Sequence, residues 1–156
     1  MSITVEPIAH VRAKRATPED DFWGGETAVI ELVDGIDPES LFGLEDFSHA
    51  EVIFHFHQVD PAKIVLDARR PRNNSDWPRI GIFAQRGKNR PNRLGVSVCA
   101  IVAVEGRRIH VRGLDAIDGT PVLDIKPVLR EFLPRGEVRQ PDWAGELMAE
   151  YWTRRA

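Results

Sequence analysis

Gly95-Val96-Ser97-Val98-Cys99-Ala100-Ile101-Val102-Ala103-Val104-Glu105-Gly106-Arg107-Arg108-Ile109-His110-Val111-Arg112-Gly113-Leu114 is the stretch that decides the fold. Two runs rich in β-branched residues, Gly95–Val104 and Ile109–Leu114, flank the turn Glu105-Gly106. Glycine accepts a positive φ at no steric cost, so the turn predicts a tight antiparallel hairpin. Working outward, Ile3–Ala9, Thr27–Val33, Ala50–His57, Ile80–Gln85 and Val122–Ile125 have the same strand-like composition. Asp34-Gly35 marks a loop, and Asp118-Gly119 reads as another tight hairpin. Short strands at this regular spacing predict an antiparallel barrel or sandwich. Helix is scarce. Asp37 can cap a single turn over Pro38–Phe42, and Asp142 can cap a short C-terminal helix with Trp143, Leu147 and Tyr151 on one face.

The 156 residues fit one domain, over residues 1–156, and their 42% hydrophobic and 29% charged content describes an ordinary globular chain. The N-terminus lacks the basic start and apolar run of a signal peptide, and the longest apolar run, Val96–Val104, is too short to span a bilayer as a helix. No membrane association is expected. The single cysteine, Cys99, lies in an apolar run and reads as a buried, inert thiol suited to a reducing cytoplasm. The net charge of −3 argues against a general polyanion binder, yet its distribution is uneven. Residues 63–93 carry nine Lys/Arg against two Asp, a local +7 on a body of −10. Such a segment can confine an anionic partner to one face.

Three polar turn segments joined to apolar runs carry the chemistry. Arg86 and Arg90 flank a turn stiffened by Pro91, and arginine's planar fork suits carboxylate or phosphate. Gly113 inside a strand points to close approach of a ligand or backbone. Asp115 and Asp118 can accept hydrogen bonds from amino or ribose hydroxyl groups, or shape the turn. Asp124, in an otherwise apolar strand, must be paired, with Lys126 or an arginine, or exposed. Alternation sets His55 and His57 on one strand face with Glu51 and Ile53, and His49 or Glu51 could complete a metal site. Rings packed and hydrogen-bonded in a polar pocket are favoured over a metal, and no metal is expected. No glycine fingerprint opens a helix after a strand, which argues against a dinucleotide fold.

Taken in order, Phe47-Ser48-His49, Phe54-His55-Phe56-His57, Gly81-Ile82-Phe83-Ala84-Gln85-Arg86, Arg90-Pro91-Asn92-Arg93-Leu94-Gly95-Val96-Ser97 and Asp118-Gly119-Thr120-Pro121-Val122-Leu123-Asp124-Ile125-Lys126-Pro127 resemble the TrmO/YaeB (TsaA-like) family over almost the whole chain. The chain departs from that pattern at Arg93, where many relatives have proline, and at Val128, where an aromatic is usual. The resemblance implies a small antiparallel β-barrel with a short C-terminal helix. It implies that the barrel binds S-adenosyl-L-methionine as a homodimer and N6-methylates threonylcarbamoyladenosine at position 37 of tRNA. The cofactor site it implies comprises Trp23, Gly24, Gly25, Phe56, His57, Arg86, Val96, Arg112, Gly113, Leu114 and Asp115. His57 and Asp115 are then the candidates for taking a proton from the acceptor nitrogen. Arg69, Arg70, Arg72, Trp77, Arg90 and Asn92 form the candidate surface for the anticodon loop, with Trp77 placed either to stack on a base or to anchor its own loop. Three other readings stay open: a methyltransferase for a different acceptor, a cofactor sensor, and a metal enzyme using His49, His55 and His57.

Overall fold

The computed structural model describes residues 1–155. Six strands close a barrel in the order β1-β2-β7-β6-β3-β8, all pairs antiparallel. These are β1 (Ala9–Ala13), β2 (Thr27–Leu32), β3 (His49–His55), β6 (Leu94–Glu105), β7 (Arg108–Arg112) and β8 (Pro121–Pro127). A two-stranded ribbon, β4 (Ala68–Arg69) with β5 (Ile80–Gly81), stands apart, and one helix, α1 (Asp142–Leu147), follows the barrel.

The period of two in the sequence becomes the inside and outside of the barrel. Along β3, Ala50, Val52 and Phe54 point inward while Glu51, Ile53 and His55 face out. Val11, Ile30, Ile109, Val111 and Val122 fill the interior from the other strands, each of them at most 1% exposed. Full burial of such a side chain stabilises the fold by about 1.5–3 kcal/mol relative to exposure, so the interior carries the fold. Gly95 sits inside β6 because the Phe54 ring occupies the space above it: a Cβ there would lie 2.5 Å from the ring. Cys99 also faces in, and its thiol is pushed up to about 12, by burial first and then by Asp115, which keeps it protonated and inert.

Several elements depart from expectation. The N-terminal strand is Ala9–Ala13, not Ile3–Ala9. Ile3 and Val5 are exposed, whereas Ala9 and Val11 register against Leu32 and Ile30 and are sealed inside. The predicted strand Ile80–Gln85 is strand only at Ile80–Gly81. A 3-10 turn, Ile82–Ala84, then buries Ile82, and Gln85 donates its amide to the carbonyls of Arg69 and Ile80. The β6–β7 hairpin is as predicted, with Gly106 at φ +58°. Asp118-Gly119 makes no hairpin, because β7 and β8 are not neighbours. It is a connector pinned to β1: Asp118 accepts the Ala13 N–H at 3.0 Å and Gly119 donates to the Val11 carbonyl at 2.7 Å. Asp37 caps its 3-10 turn as predicted. Asp142 does not cap α1; Pro141 holds that place, and the helix ends at Leu147, so Tyr151 lies beyond it.

Candidate functional site

A cleft of about 1040 Å³ opens at one end of the barrel. Its barrel side comes from the end of β3 and the residues just past it, Phe54, Phe56 and His57, from the start of β6, and from the β7–β8 connector with Asp115 and Thr120. The loop after the 82–84 turn adds Arg86 and Arg90, the segment before β2 adds Trp23, and the C-terminal segment adds Leu147, Met148, Tyr151 and Trp152.

Local bonding fixes each group. Arg86 is exposed and donates one N–H to the Val96 carbonyl at 2.6 Å, which lays its guanidinium across the start of β6. Arg90 donates to the carbonyl of Gln85 at 2.7 Å, folding the loop between them. Trp23 is buried under the Arg15 guanidinium, 3.8 Å from its ring centre. Arg15 itself is 8% exposed and reaches Glu19, Glu26 and the carbonyls of Asp21 and Phe22. That knot aims the segment before β2, and sequence reading missed it because an arginine eight residues before Trp23, outside every motif, looks like surface charge.

Asp115 carries the polar centre. One oxygen, Oδ2, accepts from the Tyr151 hydroxyl; the other, Oδ1, is buried with no partner. A buried acceptor without a donor is costly, and Oδ1 is sealed from the cleft as it stands. Burial and then Asp115 push the Tyr151 hydroxyl far above the usual phenol range, opposed by Arg86 and Arg72 nearby. It therefore stays protonated and donates. His57 is lowered below the usual imidazole range by burial first and then by the proximity of His10, with Asp118 pulling the other way. A neutral imidazole results near neutral pH, able to accept a proton.

The structure brings together Trp23, Phe56, His57, Arg86, Val96 and Asp115 of the predicted cofactor set. Gly24, Gly25, Arg112, Gly113 and Leu114 do not line the cleft. Arg112 is exposed on the outer face of β7, Leu114 is buried in the core, and Gly113 turns the chain with φ +80° toward Asp115. Gly24 and Gly25 abut Trp152 and Arg154 of the same chain. Among the predicted RNA contacts, Arg69, Arg72 and Arg90 line the cleft. Arg72 is committed to Asp21 at 2.9 Å, Arg70 to the Trp77 carbonyl, and the Trp77 indole N–H to Glu146 at 3.1 Å, the anchoring alternative for that ring. Asn92 is exposed at φ +63°, away from the cleft. The three-histidine metal grouping does not form: His49 starts β3 and His57 lies past its other end, roughly 25 Å apart along extended chain. Among the described residues no group of three His, Cys, Asp or Glu could hold a metal ion. Tyr151, Met148 and Trp152 were missed as site residues; read at helical spacing, Tyr151 looked like part of an apolar helix face.

A closed β-barrel with a mixed aromatic, cationic and carboxylate cleft at its mouth is the class of domain these observations define. The profile of the tRNA-methyltransferase O N-terminal domain matches residues 9–132, and the chain belongs to that family. It is 37% identical to "Putative S-adenosylmethionine-dependent methyltransferase RcsF" of Pseudomonas aeruginosa, over 98% of this chain and 67% of that protein. It is 34% identical to the human tRNA (adenine(37)-N6)-methyltransferase, over 90% of this chain and 33% of the human one. Crystal structures of TrmO superpose with TM-scores of 0.72 and, for the Pseudomonas aeruginosa protein, 0.70, at 32% and 30% identity. They cover 90% and 89% of this chain and 64% and 62% of theirs. The chain thus spans about two thirds of the Pseudomonas aeruginosa relatives and a third of the human one.

Proposed function

We propose that the cleft binds S-adenosyl-L-methionine and that the protein methylates N6 of an adenosine in tRNA, in its finer form threonylcarbamoyladenosine at position 37 in the anticodon loop. The observation that carries this is the meeting of Arg86, His57 and Asp115 beside Trp23 and Phe56 in one cleft. The residues fit the cofactor's chemistry. Its carboxylate suits the free N–H groups of Arg86, its amino and hydroxyl donors suit the Asp115 carboxylate, and its adenine suits an aromatic wall. The names of the relatives, a methyltransferase and a tRNA (adenine(37)-N6)-methyltransferase, support the same reading.

Bound S-adenosyl-L-methionine supplies an electrophilic methyl group on a sulfonium. The chain's own residues bind, orient and dehydrate. Holding acceptor and donor in line converts an encounter into an intramolecular step and supplies most of the acceleration. The N6 nitrogen of a carbamoylated adenine is a poor nucleophile because its lone pair is delocalised, so loss of its proton matters. Neutral His57 is the acceptor for that proton, and Asp115 holds positive charge in the cleft. Arg69, Lys88 and Arg90 at the rim meet phosphates. The outer face of β6 exposes Leu94, Val96 and Val98 beside Arg86, and Phe83 is 78% exposed. This apolar surface supports a homodimer formed next to the cleft. Among the described residues no helix is long and apolar enough to cross a membrane; a cytoplasmic location follows from the substrate proposed.

Radiolabelled S-adenosyl-L-methionine incubated with tRNA containing or lacking threonylcarbamoyladenosine, then nucleoside mass spectrometry, tests the proposal. An N6-methyl label in the first pool alone is the expected result. Cofactor binding without label in either pool would turn the reading toward another acceptor or a sensor.

A further inference from the structure

We propose that the C-terminal segment 141–155 is a built-in wall of the cleft, and that Tyr151 is a positioning residue that fixes the plane of the Asp115 carboxylate there. The ligand part of this proposal rests on the cofactor reading above. The segment lies outside the residues 9–132 matched by the family profile, so nothing in that match assigns it a role.

Three observations carry it. First, the segment is docked by backbone: Phe22 N–H donates to the Glu150 carbonyl at 3.1 Å and Trp23 N–H to the Tyr151 carbonyl at 2.8 Å. Gly24 has no Cβ where the Trp152 carbonyl passes; an added Cβ would lie 2.0 Å from that oxygen. The approach is close enough to require glycine, which explains the residue without any ligand. Second, the docked segment delivers the Tyr151 hydroxyl to Asp115 Oδ2. Third, Asp115 lines the cleft, so the plane that Tyr151 sets for its carboxylate is the one a ligand meets.

The consequence is one of orientation. Each carboxylate oxygen carries two lone pairs, so the Tyr151 bond leaves Asp115 acceptor capacity while its plane is set by a residue outside the barrel. Removing the Tyr151 hydroxyl leaves both oxygens unanchored and the carboxylate free to rotate.

The test is a double-mutant cycle with Tyr151→Phe and Asp115→Ala, Asp115→Asn replacing the alanine if that variant does not fold. It is read twice, as the denaturant midpoint of the free protein and as S-adenosyl-L-methionine affinity by calorimetry. We expect the two substitutions to be strongly coupled in the free protein. In binding, Tyr151→Phe should weaken affinity about tenfold and add nothing once Asp115 is replaced. A segment acting only as structural cover would give additive effects in both readouts, which would overturn the positioning role. Coupling in the free protein with a wild type that binds no cofactor would instead overturn the cofactor reading, while leaving the Tyr151–Asp115 contact standing.

Discussion

On the barrel side of the cleft, Phe56, His57 and Val96 follow or belong to strands paired along their length, β3 with β6 over seven residue pairs and with β8 on its other edge. On the opposite side, Leu147, Met148, Tyr151 and Trp152 belong to a six-residue helix and the turn after it. That segment is held by two backbone hydrogen bonds, the Tyr151–Asp115 contact, Trp77–Glu146 and Arg155–Glu19. A helix of one and a half turns has no stability of its own in water, so this wall exists only while it is docked. One side is rigid because it is the fold; the other depends on a few polar contacts that a ligand or partner could exchange. The difference predicts that damage to the first wall unfolds the protein, whereas damage to the second alters the site and spares the barrel.

The largest effect should come from Phe54→Ala, which opens a cavity under Gly95 in the sealed interior. It should cost about 3–5 kcal/mol in chemical denaturation; a loss below about 1 kcal/mol would mean that the barrel wall is no more rigid than the docked one. Gly24→Ala should come next, at about 1–3 kcal/mol, because a Cβ 2.0 Å from the Trp152 carbonyl forces the docked segment off residues 22–24. Limited proteolysis should then nick residues 141–155 while the barrel melts cooperatively, and unchanged protection of that segment would refute its close docking. Arg86→Ala leaves both walls in place and should weaken S-adenosyl-L-methionine binding about tenfold by calorimetry. Wild-type affinity would remove Arg86 from the site.

The smallest effect concerns pH. His55 and His57 are both lowered from 6.5 by burial, His55 further by Arg93 and His57, and His57 by His10. The folded state therefore binds fewer protons than the unfolded one just below pH 6.5. The stability these neutral rings confer is fully present above about 6.5 and is lost as pH falls through their folded values. His57→Gln should flatten part of that acid slope in thermal melts between pH 7 and 5; an identical slope would show that His57 is not desolvated.

How far the sequence could be read differs in the same way between the two walls. Alternation along Ala50–His55 and Leu94–Cys99 needs only the two-residue period of a strand, so the faces of β3 and β6 were legible without coordinates. The Glu105-Gly106 hairpin was legible for the same local reason. Asp118-Gly119 carries the same turn signal and means something else, because local chemistry specifies a turn but not which strands it joins. Ile3–Ala9 starts the strand six residues early: exposed Ile3 and Val5 are apolar too, and only pairing with β2 distinguishes Ala9–Ala13. Tyr151 could not have been placed, since its partner Asp115 is 36 residues away and the contact depends on Gly24 letting the segment through.

By itself, then, the sequence determined the strand composition, the β6–β7 turn, the inward and outward faces, the family and most residues of the barrel wall. These follow from periodicity, turn chemistry and ordered motifs, each contained within a few neighbouring residues. Tertiary structure alone decided which strands close the barrel and that Arg112 faces outward while Asp115 enters the cleft. It alone decided that the C-terminal segment comes back over residues 22–24 to complete the site. Each of those outcomes is a choice among contacts between distant parts of the chain, settled by which packing buries the most apolar surface and leaves the fewest buried polar groups unpaired.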